Sequence, residues 1–172
     1  MRNKYLDIKP FVLLLMIALI WLAAAPPVFA HDDGGIFSAF NLGMIFISFV
    51  GGGMLAVAPM LGATRPNLLT LAGLALIGMT GWLHLVAGVM WTYPLLVLNG
   101  LGYLVLGLAW VWPERFIGNQ KRTVTAILAV YTVATIIGYF VTHLSGVDAL
   151  GLVNKVMEVA LLVVLGLSYW RD

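Results

Sequence analysis

The chain contains no cysteine. That absence excludes disulfides, thiolate metal sites, a cysteine nucleophile and a lipid-modified N-terminal cysteine. Charge is scarce as well. Asp, Glu, Lys and Arg make up 9% of the 172 residues, where a soluble domain carries about a quarter. So few charges cannot cover a water-facing surface. No basic patch interleaved with aromatics points to nucleic acid. P-loop, HExxH and G-x-S-x-G patterns are also missing, so the corresponding enzyme classes have no support in the sequence.

What is present is apolar. Hydrophobic residues form 62% of the chain and the mean hydropathy is +1.04. This predicts an all-α, polytopic membrane helix bundle in one domain, 31–172, behind an N-terminal address at 1–30. "MRNKYLDIKP" brings Arg2, Lys4 and Lys9, and the apolar run Phe11 to Ala25 follows. "PPVFA" then places Val28 and Ala30 before the polar "HDDGG". A basic start, a short apolar run and small residues before a break make a cleavable signal peptide. The run is also short for a span of about 20 residues. The mature chain is expected to begin at His31.

Four breaks, "LGATRPN", "WTYP", "PERFIGNQKR" and "HLSGVDA", separate five apolar runs near 36–60, 67–91, 94–112, 123–143 and 149–170. Each break holds proline or glycine, which suits helix ends. Lipid offers no partner for backbone N–H and C=O, so each run should be a transmembrane helix. Barrel strands would be about 10 residues long and alternate in polarity. With His31 outside, Arg65, Arg115, Lys121, Arg122 and Arg171 all fall on the cytoplasmic side. Asp32, Asp33 and Asp148 fall outside. The positive-inside rule therefore puts the mature N-terminus outside and the C-terminus in the cytoplasm of a plasma-membrane protein. Trp91, Tyr93, Trp110, Trp112, Tyr169 and Trp170 stand at span ends, as an aromatic belt would. Glycines 51–53, 73, 78, 81, 88, 100, 102 and 107 are expected to let the helices pack closely.

Polar side chains cluster by depth. Glu158 lies roughly 12 to 14 Å along the fifth span and His84 roughly 10 Å down the second. Asn99 and Tyr103 fall in the outer half of the third span, and Tyr131, Thr135, Tyr139 and His143 recur every four residues along the fourth. Asn154 and Glu158 share a helix face, and Lys155 can pair with Glu158 or snorkel to the headgroups. A charge at this depth costs a few kcal/mol and usually finds a partner inside the bundle. His84, Asn99, Tyr139, His143, Asn154, Lys155 and Glu158 are thus expected to line an outward polar pocket, with Glu158 facing His84 or Lys155. The same groups can serve only to hold five helices in register.

Three chemistries could use such a pocket. Haem b is one, with His84 and His143 as axial ligands on different helices. Copper is another, held by the α-amine and imidazole of His31 after cleavage, with Asp32 and Asp33 beside it. Proton-coupled transport of a small solute through Glu158 and His84 is the third. Five short spans without inverted repeats make a poor transporter unless the protein oligomerises.

The segments "GWLHLVAGVMW", "LNGLGYLVLGL" and "LGLVNKVMEVALLVVL" resemble small multi-pass membrane families of prokaryotes. The resemblance covers the last four spans loosely. It implies a fold class and no activity or functional residue. The role expected from the whole sequence is an accessory or structural subunit of a membrane complex. Its partners would be the bilayer and other membrane subunits or a second copy. The alternatives are a haem- or metal-binding redox protein and a proton-coupled transporter.

Overall fold

The computed structural model describes residues 38–57, 59, 66–113, 120–142 and 148–171. It contains five helices: α1 Ala39–Val57, α2 Leu68–Met90, α3 Pro94–Val111, α4 Lys121–Thr142 and α5 Ala149–Arg171. Each is long and apolar enough to cross a membrane. The expected signal peptide, His31, Asp32, Asp33, Arg65, Arg115 and His143 lie outside the described residues. The helix ends fall within a few residues of the expected ones; α4 begins two residues earlier, at Lys121.

The ends carry their own signals. Ser38 Oγ accepts from Asn41 N at 3.1 Å to start α1. Asn67 Oδ1 accepts from Thr70 N at 2.9 Å to start α2. Asp148 Oδ1 accepts from Gly151 N at 2.6 Å to start α5. Each satisfies an N-terminal amide that has no partner within its helix. Pro94 opens α3, where its missing N–H costs nothing.

The turn from α2 to α3 is a Schellman cap. Tyr93 N donates to Gly88 O at 2.8 Å and Thr92 N to Val89 O at 3.2 Å. The position between Trp91 and Tyr93 needs a left-handed backbone, which glycine usually supplies. Here it is Thr92, with φ 52°. A β-branched residue is strained there.

Helices α2, α3, α4 and α5 form a ring in which each packs against the next, and α1 lies outside against α2. Small residues set the closest contacts. A Cβ on Gly51 would overlap the Trp82 ring, and one on Gly78 would lie 2.7 Å from Gly52 Cα. A Cβ on Gly100 would lie 2.6 Å from Gly81 O. Gly53 differs from the expectation: a Cβ there meets nothing, because it faces away from α2. The GGG triplet is continuous helix.

The ring is not uniform along its length. At the end where α4 begins and α5 finishes, Leu74, Ile77, Leu128, Leu161 and Leu165 fill it, all with 0% exposure. Trp110 Nε1 donates to Thr125 Oγ1 at 2.9 Å there and ties α3 to α4. At the opposite end, the buried residues of α4 stop at Thr132. Beyond that point α4 stands off from the bundle.

Replacing Thr92 with glycine removes the side-chain strain at no cost to the cap. Thr92→Gly should gain about 1 kcal/mol, seen as a higher thermal unfolding midpoint in detergent. A lower midpoint would mean that the Thr92 Oγ1 bond to Trp91 O, at 2.7 Å, outweighs the strain.

Candidate functional site

Where α4 stands off, the ring encloses a cavity of about 900 Å³. The end of α2, the start of α3, the end of α4 and the start of α5 all contribute to it, so it opens at one end of the bundle. Its walls are mainly apolar, including Leu83, Trp91, Leu96, Leu98 and Leu150. Its polar lining comes from His84, Asn99, Tyr131, Thr135, Tyr139, Asn154 and Lys155, with Asp148 at the rim.

Glu158 is one helix turn beyond this lining and has 0% exposure. Asn154 Nδ2 donates to its Oε1 at 3.0 Å, and Lys155 Nζ donates to its Oε2 at 2.5 Å. Both donors come from α5 itself, at spacings of four and three, which place them over the same helix face. From α2, His84 Nε2 comes to 3.9 Å from Glu158 Oε1. That is too long for a hydrogen bond. His84 Nδ1 lies 2.9 Å from Thr80 O. A carbonyl only accepts, so Nδ1 carries the proton in that bond.

Of the two courses expected of Lys155, it pairs with Glu158 and does not snorkel. The residue is 5% exposed, and its ammonium turns inward to the carboxylate and sits 5.2 Å from the centre of the Tyr139 ring. In a low-dielectric interior the uncompensated Glu158 carboxylate is the larger penalty, and Lys155 is the cation within reach.

Three aromatic residues frame this floor. Tyr103, with 0% exposure, stacks on His84 at 5.9 Å between ring centres and meets Tyr131 edge-on at 5.1 Å. Tyr103 Oη lies 2.7 Å from Thr135 Oγ1, and Thr135 Oγ1 donates to Thr132 O at 2.8 Å. Tyr131 Oη donates to Asn99 Oδ1 at 2.7 Å, and Tyr139 Oη donates to Asp148 Oδ2 at 3.0 Å. A glycine lies under each outer tyrosine. A Cβ on Gly102 would overlap the Tyr131 hydroxyl, and one on Gly151 would overlap Tyr139.

Of the residues expected to share a pocket, His84, Asn99, Tyr139, Asn154 and Lys155 line one cavity and Glu158 lies directly beneath it. His143, the second haem ligand expected from the sequence, and His31, the expected copper ligand, lie outside the described residues. Among the described residues no three histidine, aspartate or glutamate side chains converge as metal ligands. Sequence reasoning gave Gly102 as a packing glycine without its place under Tyr131, and did not find Gly151 or the double role of Asp148 as helix cap and tyrosine partner. The spacing of Tyr131, Thr135 and Tyr139 was the one available signal, and it identified their common face without their partners.

This is a multi-pass, all-helical membrane protein with a polar-floored cavity at one end. No family model matches the chain, and no curated protein or solved structure does either.

Removing one member of the buried pair should cost more than removing both. Glu158→Gln leaves Lys155 charged and buried, a loss of about 3–5 kcal/mol. Lys155→Met combined with Glu158→Leu should recover much of it. Thermal unfolding in detergent compares them directly. A single variant at least as stable as the double one would contradict the pairing.

Proposed function

We propose that the chain is a membrane-embedded binding protein whose cavity takes a small amphipathic molecule from the outer side of the plasma membrane. The orientation rests on charge. Lys121, Arg122 and Arg171 stand at the filled end of the ring, and Asp148 stands at the cavity end. Basic residues favour the cytoplasmic side, so the cavity faces out.

The observation that carries this reading is the shape of the cavity together with its lining. At about 900 Å³ it falls in the range of small-molecule sites, which pair mostly apolar walls with a few convergent polar groups. The leucine and isoleucine layer below makes it a blind cup. A blind cup favours binding over conduction, which weighs against the transport alternative. The haem and copper alternatives each depend on a histidine outside the described residues.

A second reading, the accessory subunit, draws on three glycines. Gly43, Gly53 and Gly166 have open space where a Cβ would stand and lie outside the cup. Small residues on outward helix faces suit close approach of another membrane helix. The two readings are compatible, since a subunit can carry a ligand site.

Ala134 is exposed and lines the α4 wall of the cup. Ala134→Trp should fill the cup without disturbing its floor. Protein purified in mild detergent, extracted with organic solvent and analysed by mass spectrometry should release a hydrophobic molecule near stoichiometry. The variant should release little of it while keeping its helical circular dichroism. Equal release from both, or none from either, would overturn the binding reading.

A further inference from the structure

The floor of the cup holds two acceptors that no donor meets. His84 Nδ1–H is committed to Thr80 O at 2.9 Å. Glu158 already has Lys155 as its counter-ion. A second cation at His84, which is 8% exposed, would leave net positive charge buried, so the imidazole is neutral. Its Nε2 is then a bare lone pair, and it faces Glu158 Oε1, another acceptor, across 3.9 Å. Asn154, 3% exposed, gives its amide N–H to Glu158, and its Oδ1 has no partner. Two acceptors therefore flank the same carboxylate with no hydrogen to share.

The surrounding hydroxyls do not supply one: that of Thr80 is buried without a partner and reaches neither acceptor. The Tyr103 and Thr135 hydroxyls are spent on each other, on Thr132 O and on Glu158. Those of Tyr131 and Tyr139 go to Asn99 and Asp148. Lys155 spends one of its three N–H groups on Glu158 and sits over the Tyr139 ring, and no hydrogen bond joins it to His84 or to Asn154 Oδ1. A buried acceptor without a donor is destabilising, which a ligand carrying a donor would relieve.

The source of that ligand is written in the wall. Leu95 and Leu98 of α3 line the cup and are each 64% exposed. Opposite them on α4, Ala134 is exposed, and a Cβ on Gly138 would meet nothing. Ala134 is eight residues from the end of α4 at Thr142, or roughly 12 Å along the helix. Leu95 and Leu98 on one side and Ala134 and Gly138 on the other therefore border both the cup and lipid, beyond the Tyr131–Asn99 bond.

Resting on the reading of the cavity as a ligand cup, we propose that its ligand is a lipid-phase alcohol or phenol. It enters between α3 and α4 and donates its hydroxyl hydrogen to His84 Nε2 beside Asn154. Its hydrocarbon body lies against Leu83, Leu96, Leu98 and Leu150. A carbonyl, carboxylate or phosphate head would set lone pair against lone pair at His84.

The test compares dodecanol, methoxydodecane and dodecanoic acid on the full chain in lipid nanodiscs, with affinities from native mass spectrometry. Dodecanol should bind about tenfold or more tightly than the ether, the scale of one buried hydrogen bond, and the acid should bind no better than the ether. In His84→Leu the preference should fall to near unity. A second readout needs no variant to fold: with ¹⁵N-histidine protein, one Nε2 resonance should shift with dodecanol and not with the ether. Equal binding of all three probes, or an Nε2 resonance unmoved by bound dodecanol, would overturn the alcohol assignment and leave the cup intact. Failure of every probe to bind would overturn the cup itself.

Discussion

A carboxylate removed from water inside a helix bundle must be met by donors or a counter-ion, and Glu158 organises the structure around that demand. Its own helix supplies Lys155 and Asn154 at the spacings that bring them over one face. α2 brings His84 against it, and Tyr103 of α3 stacks on the histidine ring. Residues of three helices thereby converge around one side chain. A well-packed apolar floor of the same volume would cost less desolvation. Retaining charge here makes sense where the charge, or the lone pairs arranged around it, meets something.

The cup itself comes from uneven packing. Glycines draw α1, α2 and α3 into close contact along their length, as where Gly78 meets Gly52 and where Gly100 meets Gly81. α4 has no comparable seam. It is anchored by Trp110 on Thr125 at one end and by tyrosine hydrogen bonds higher up. Above Thr132 it buries no residue. The space that opens is bounded by side chains which also face lipid, so the bilayer is its nearest reservoir. The layer of Leu74, Ile77, Leu128, Leu161 and Leu165 closes it below and keeps the polar groups on one side of the membrane.

Much of this was legible in the residues. Proline and glycine breaks placed the five helices, because backbone satisfaction in lipid leaves few alternatives for long apolar runs. Helical spacing predicted that Asn154, Lys155 and Glu158 share a face, and depth predicted that His84 lies level with them. The direction of Lys155 was not legible, since a single helix cannot show whether a lysine finds headgroups or a buried acid. Nor were the bonds of Tyr131 to Asn99 and of Tyr103 to Thr135, which depend on how α3 and α4 are rotated against each other. Gly53 and Gly52 are neighbours of identical composition, yet only one faces α2. Thr92 gave no sign that it would occupy a position glycine normally takes.

The absence of native cysteine makes one measurement especially clean. Thr135 lines the cup, and Leu128 lies in the apolar layer beneath it with 0% exposure. Single cysteines at these two positions, in oriented vesicles, can be challenged from each face with a small membrane-impermeant thiosulfonate. A cup open on the outside predicts that Thr135→Cys reacts from the outer face alone and that Leu128→Cys reacts from neither. Reaction of Leu128→Cys from either face, or of Thr135→Cys from the cytoplasmic face, would contradict a blind outward site.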